Sequence, residues 1–143
     1  MTLEDEIIQR IEKTGYKFVE GQHRNFSSIL KRNIFLTGSV FALTKYKPGQ
    51  TINDIISNGR SWNFENLNSL KDKIFGTGVN LIIFHHGELI LEDIKGKSDK
   101  GGDKKAILQS ISIVDLNSYK IEQDHTWVLL PVLKETIKNI ANY

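Results

Sequence analysis

The sequence predicts one α+β domain: a mixed sheet of about five strands flanked by N-terminal, middle and C-terminal helices. Apolar residues at helical spacing stand at both ends and in the middle of the chain, and runs of β-branched and aromatic residues lie between them. Neither a repeat nor a linker divides the 143 residues, so the expected domain spans 1–143. The chain is 39% hydrophobic, and a chain of this length buries about two-thirds of its unfolded surface without staples.

Thr2 with Asp5 three residues on is a capping-box variant. Leu3, Ile7, Ile8 and Ile11 follow at helical spacing, and Gly15 suits a stop, which predicts a helix over 3–14. Tyr16 to Val19 reads as a short strand. Residues 22–33 fit a helical turn (Phe26, Ile29, Leu30) and a loop (Asn25, Ser27, Ser28) equally well. Residues 34–46 read as one strand bent at Gly38, and Pro48-Gly49 as a turn. Thr51 and Asp54 repeat the capping spacing, so a short helix runs from 52 to Asn58-Gly59. A second, capped by Asn63, carries Phe64, Leu67, Leu70, Ile74 and Phe75 and stops at Gly76. Two strands, 79–84 and 88–95, follow around His86-Gly87. Residues 96–105 form a glycine- and lysine-rich loop. The stretch 106–122 becomes strand-like around Ile111, Ile113 and Val114, then turns at Asp115–Ser118. Trp127 to Leu130 is apolar, and Pro131 opens an amphipathic C-terminal helix with Val132, Leu133, Ile137 and Ile140.

Composition excludes several chemistries. With no cysteine there is no disulfide framework, cysteine zinc site, iron–sulfur cluster or thiol catalysis. A net charge of +2 is too balanced for a polycation. No apolar run reaches the ~18–20 residues of a membrane span, and the acidic start Leu3-Glu4-Asp5-Glu6 is unlike a signal peptide, so a cytoplasmic chain is expected.

One constellation suggests chemistry. A two-residue turn at His86-Gly87 would pair Phe84 with Leu89 and Asn80 with Asp93, and Lys95 would share the face of Asp93. Asn80, Asp93 and Lys95 would then cluster at one end of an apolar face. Oxygen donors on such a hairpin hold Mg²⁺, with a lysine near the attacked phosphate or the water.

The stretch Asn80-Leu-Ile-Ile-Phe-His-His-Gly-Glu-Leu-Ile-Leu-Glu-Asp-Ile-Lys95 resembles the core hairpin of PD-(D/E)xK nucleases, in particular the N-terminal nuclease domain of type I restriction-enzyme motor subunits. The resemblance implies a nuclease-like, nucleic-acid-associated domain with Asp93 and Asn80 as metal ligands. Lys95 would orient water or stabilise phosphorane charge, and Gln109 of Lys105-Ala-Ile-Leu-Gln109 would support from the next element. Asn80 stands where the family has its first metal-binding Asp, and Val79 where it has Pro, which implies an impaired or atypical Mg²⁺ site. Glu65 or Asp72 are candidates to replace the missing carboxylate.

The rival expectation is a non-enzymatic protein-binding module: an inhibitor, immunity or accessory domain. It is favoured if the three residues fail to converge and an exposed apolar patch lies elsewhere. Plainer readings attend each motif. Asp93 and Lys95 suit a solvated strand end. His85 and His86 would point to opposite faces of a strand, with one paired to Glu88. His23 and His125 are isolated. Ser39 and Ser112 lack a nucleophile elbow. Gly76-Thr-Gly78 and Gly96-Lys97-Ser98 lack the context of nucleotide-binding loops. Lys97, Lys100, Lys104 and Lys105 would meet phosphates on the first reading and water on the second. Trp62 and Trp127 suit core or interface positions.

Overall fold

Three helices of this chain open on the same device. A hydroxyl at the N-cap accepts from the backbone three residues on, and an aspartate there accepts in return. The computed structural model describes residues 1–34, 37–99, 106–126 and 131–141. Thr2 and Asp5 open α1 (Leu3–Glu12), Thr51 and Asp54 open α2 (Ile52–Asn66), and Ser69 and Asp72 open α3 (Leu70–Phe75). The sequence suggested a stop at Asn58-Gly59 and a new cap at Asn63, but α2 runs through all three. Gly59 faces the sheet, where a Cβ would lie 3.0 Å from Leu81 and 3.3 Å from Val79. The glycine marks a close helix–sheet approach rather than a break.

Six strands follow one another across a single sheet: β1 (Lys17–Phe18), β2 (Ser28–Ile34), β3 (Thr37–Lys45), β4 (Thr77–His85), β5 (Ala106–Asp115) and β6 (Ile121–His125). The first three pair antiparallel, β3, β4 and β5 run parallel, and β6 returns antiparallel. The expected α+β fold with a mixed sheet is present, with one strand more than anticipated. The apolar run 34–46 is divided between β2 and β3, so Gly38 lies opposite Asn33 in a hairpin instead of bending one long strand.

The expected hairpin of 79–84 with 88–95 is not formed. Every residue of β4 is buried, and Asn80 is paired with Phe41 on one side and Ser110 on the other. With both edges occupied, the returning chain has no backbone left to pair with. An uninterrupted apolar run is the pattern of such a central parallel strand. Residues 88–95 instead contain a one-turn helix, α4 (Leu91–Ile94), where Asp93 Oδ2 accepts from the Ile90 amide at 2.8 Å.

Alternate residues of β4 feed two cores. Ile82 and Phe84 pack with Phe41 and Leu43 beneath α1 and α5 (Pro131–Ala141), through Ile7, Ile11, Leu133, Ile137 and Ile140. Val79, Leu81 and Ile83 pack with Ile55, Ile56 and Trp62 of α2 and with Ile94 of α4. The Thr14 and Thr136 hydroxyls meet at 2.6 Å, and Arg10 donates to the Ile140 carbonyl at 2.9 Å, joining α1 to α5. Trp62 is a core residue, as expected; Trp127, Lys100, Lys104 and Lys105 lie outside the described residues. Among the described residues no helix is long and apolar enough to cross a membrane.

Candidate functional site

Of the four residues singled out for catalysis and metal binding, the fold brings two together. Asn80 is fully buried in β4. Its amide nitrogen donates to the Val40 carbonyl and to Gln109 Oε1, both at 3.1 Å, and its oxygen accepts from the Ser110 hydroxyl at 2.6 Å. Gln109 reaches it because β5 carries an irregularity there: Val79 pairs with Leu108 but Asn80 with Ser110, leaving Gln109 as the extra residue. Its side chain lies over Gly78, where a Cβ would stand 2.1 Å from Gln109 Oε1.

Asp93 and Lys95 go elsewhere. Asp93 lines a cleft with Tyr46, Gln50, Leu89 and Lys97, beyond the ends of β3 and β4, and Lys95 is exposed at the end of α4. The expected convergence rested on the hairpin and does not survive its loss. Asn80 and Asp93 offer no joint donor set for Mg²⁺, since the Asn80 oxygen serves Ser110 and the Asp93 carboxylate caps α4. Asp72 is spent on the Ser69 hydroxyl (2.8 Å) and the Gly38 amide (3.3 Å), while Glu65 lines a different cleft with Arg24 and Trp62. Among the described residues no three His, Asp or Glu side chains form a metal-holding group.

The Asn80 network continues through the Ser39 hydroxyl to the Tyr16 hydroxyl, 2.9 Å away, beneath α1 and α5. Burial pushes the Tyr16 phenol up to about 12, against weaker opposing effects of the Ser39 hydrogen bond and the Arg32 charge. A group that holds its proton more tightly when folded stabilises the fold below its ordinary value near 10, and that contribution is lost as pH rises through 12. On the order of 2–3 kcal/mol should therefore disappear between pH 10 and 12 in wild type. Tyr16→Phe should lack this part of the decline in urea unfolding, and equal alkaline slopes for the two proteins would refute the assignment.

The histidines are structural too. His85 is buried, and its Nδ1 accepts from the Gly87 and Leu89 amides at 3.1 and 3.3 Å. The His86 ring meets Asn117, while its amide donates to Glu88. The start of the lysine-rich loop is tied down, with Gly96 and Ser98 amides donating to Asp124 at 2.9 and 3.0 Å and Lys97 Nζ to Asn53 at 3.2 Å.

The feature that sequence reasoning missed lies at the other end of α2. The sequence predicts Phe64, Leu67, Leu70, Ile74 and Phe75 on one helix, and of the five only Leu67 is buried. Phe64 is 61% exposed, Leu70 74%, Ile74 64% and Phe75 53%. The chain breaks between Asn66 and Ser69, so these side chains belong to two helices rather than one stripe. Leu70 and Ile74, four apart on α3, are neighbours. Beside Phe64, a recess of about 70 Å³ opens between Leu67, Lys73, Thr77 and Ala106. Asn63 lines it; its amide nitrogen donates to Thr77 Oγ1 at 3.1 Å, and among the described residues its buried Oδ1 has no partner. Lys31 and Lys71 line the next cleft, beyond Asp72. The signal available in sequence was the cap pair Ser69 and Asp72, which moves the helix start past Phe64.

Comparison with known protein families, with curated proteins and with solved structures returns no match for this chain.

Proposed function

We propose that the chain is a protein-binding module that docks through the apolar face of Phe64, Leu70, Ile74 and Phe75. The observation that carries this reading is the exposure of four large apolar side chains within twelve residues of sequence. Scattered single apolar residues are ordinary on a surface, whereas a grouped set costs solubility unless something covers it. Phe64 borders the recess, and aromatic and aliphatic anchors of this kind are the usual centre of a protein–protein contact.

The surroundings describe the partner. Lys71 and Lys73 are exposed beside the patch, and Lys31 lines the adjoining cleft, so the partner presents apolar side chains flanked by acidic ones. A second copy fits less well, because a two-fold contact across α3 would bring each lysine pair near its own counterpart. The unpartnered Asn63 oxygen calls for an N–H or O–H donor from the same partner. The nuclease-like reading has no comparable support, since the hairpin that suggested it is replaced by a central strand and a helical turn.

The test is site-specific photo-crosslinking in cells from position 74, with position 13, just past the end of α1, as control. A discrete partner should be captured at 74 alone and should rebind the purified chain. Ile74→Asp and Phe64→Asp should each weaken that purified complex at least about tenfold, as loss of a central anchor does. The doubly substituted Asp93→Ala, Lys95→Ala protein should bind as wild type. A captured protein that rebinds Ile74→Asp equally well, or none that rebinds at all, rejects the docking face.

A further inference from the structure

A second cleft, independent of the docking face, lies between α2 and the turn that joins β1 to β2. Asn58, Ser61, Trp62 and Glu65 line one wall at i, i+3, i+4 and i+7 of α2, so one stripe of the helix faces it. Arg24 and Asn25 line the opposite wall, in the turn closed by the His23–Phe26 bridge. The space measures about 380 Å³, within the range of small-molecule sites.

Two observations bear on what this cleft can hold. Its walls are held in place. The Trp62 indole N–H donates to His23 Nδ1 at 3.3 Å, with the rings edge to face at 5.6 Å, and the far His23 nitrogen meets the Val19 carbonyl at 2.9 Å. Asn25 has a φ of 113°, a conformation that side chains other than glycine rarely adopt. Its carbonyl accepts from the Thr44 hydroxyl at 3.1 Å, which helps to hold it there. The polar groups that line it, by contrast, face solvent: Arg24, Asn25, Ser61 and Glu65 are exposed and Asn58 is half-buried. Among the described residues the side chains of Arg24, Asn25, Asn58, Ser61 and Glu65 make no hydrogen bond or ion pair with the rest of the protein.

Arg24 and Glu65 carry opposite charges on opposite walls and do not pair with each other. A ligand with an anion at one end and a cation at the other satisfies both, with guanidinium on carboxylate and carboxylate on ammonium. The amides of Asn25 and Asn58 and the Ser61 hydroxyl supply donors and acceptors between them, and the edge of Trp62 gives an apolar contact. We infer that this cleft binds a small zwitterion of the free amino-acid class.

The experiment is a ¹H–¹⁵N titration of the intact chain with each of the common L-amino acids in turn, at up to millimolar concentration. The Trp62 indole N–H, assigned through its contact with the His23 ring, is the reporter. At least one amino acid should shift that signal saturably. Arg24→Ala and Glu65→Gln, both at exposed positions, should each weaken its binding about tenfold or more. The same amino acid as its carboxamide should lose affinity to a similar degree in wild type and lose nothing further in Arg24→Ala. Ile74→Asp should bind it normally, which separates this site from the docking face. No indole shift with any amino acid overturns the inference, and so does a shift that persists in both charge variants. A response to a neutral sugar such as glucose, with none to amino acids, overturns the ligand class.

Discussion

Asn80→Asp should destabilise the protein by about 3–5 kcal/mol at neutral pH, among the larger effects of any single substitution here. Aspartate matches asparagine in size, so packing is unchanged and only polarity differs. Asn80 donates from its amide nitrogen to Val40 O and Gln109 Oε1, and a carboxylate would face both oxygens with nothing to donate. The site is fully buried, and its polar neighbours are the Ser39 and Ser110 hydroxyls, the Gln109 amide and the Val40 carbonyl. The new carboxyl would hold its proton well above the ordinary carboxylate range, because burial disfavours its charged form. A folded-state value raised above the unfolded one means that stability falls as pH rises. The deficit against wild type should therefore be smaller in urea unfolding at pH 4.5 than at pH 7. Adding Mn²⁺ should restore nothing. A variant as stable as wild type, or one rescued by Mn²⁺, would mean that the strand opens onto a cation site and that the nuclease-like reading has to be reconsidered.

That outcome turns on one misread segment. Residues 79–95 contain two apolar runs around a Gly, and a tight hairpin is the shortest way to join two strands. What decided otherwise is non-local. β4 receives β3 on one edge and β5 on the other, and both partners lie outside the seventeen residues themselves. The one local hint was the unbroken apolar run Leu81–Phe84, which suits a strand covered on both faces better than the alternation of a half-exposed hairpin. Asp93 likewise looks the same in sequence whether it ends a strand or caps the turn of α4.

Elements whose signals are local were legible. Thr2–Asp5 and Thr51–Asp54 mark helix starts because the capping bonds run within four residues, and the structure contains both boxes. Pro131 opens α5 as its fixed φ allows. Gly59 was legible only as a breaker, since its true role depends on Leu81 and Val79, some twenty residues away. The apolar face was hidden for a related reason. Phe64 and Ile74 have the spacing of a core stripe, and a core stripe and a docking stripe are written with the same residues. Only the structure shows that α3 meets the sheet through Asp72 and the Gly38 amide of β3, leaving Leu70, Ile74 and Phe75 exposed.

Asp99→Ala should cost about 2–4 kcal/mol, because it strands a charge where the sequence shows none to be special. Both Asp99 oxygens accept from Arg60 Nη2 at 2.7 Å, and Oδ2 accepts from the Leu108 amide at 2.7 Å. The pair joins α2 to the chain ahead of β5, where the Asp99 amide also donates to the Leu108 carbonyl. The two side chains are 25% and 12% exposed, and among the described residues the buried Arg60 Nε lacks a partner. Removing Asp99 leaves that guanidinium with less compensation still and takes a side-chain acceptor from Leu108. Partial access to water limits the penalty, which is why the lower part of the range for broken buried pairs is expected. Removing both charges should cost less than removing one, since the desolvation of Arg60 goes with it. Asp99→Leu with Arg60→Met should accordingly be more stable than Asp99→Ala alone, and the double-mutant cycle should give a coupling of at least about 1 kcal/mol. A cycle that closes near zero in urea unfolding would show that the pair behaves as an exposed surface contact, and that α2 is held to the sheet by its apolar face alone.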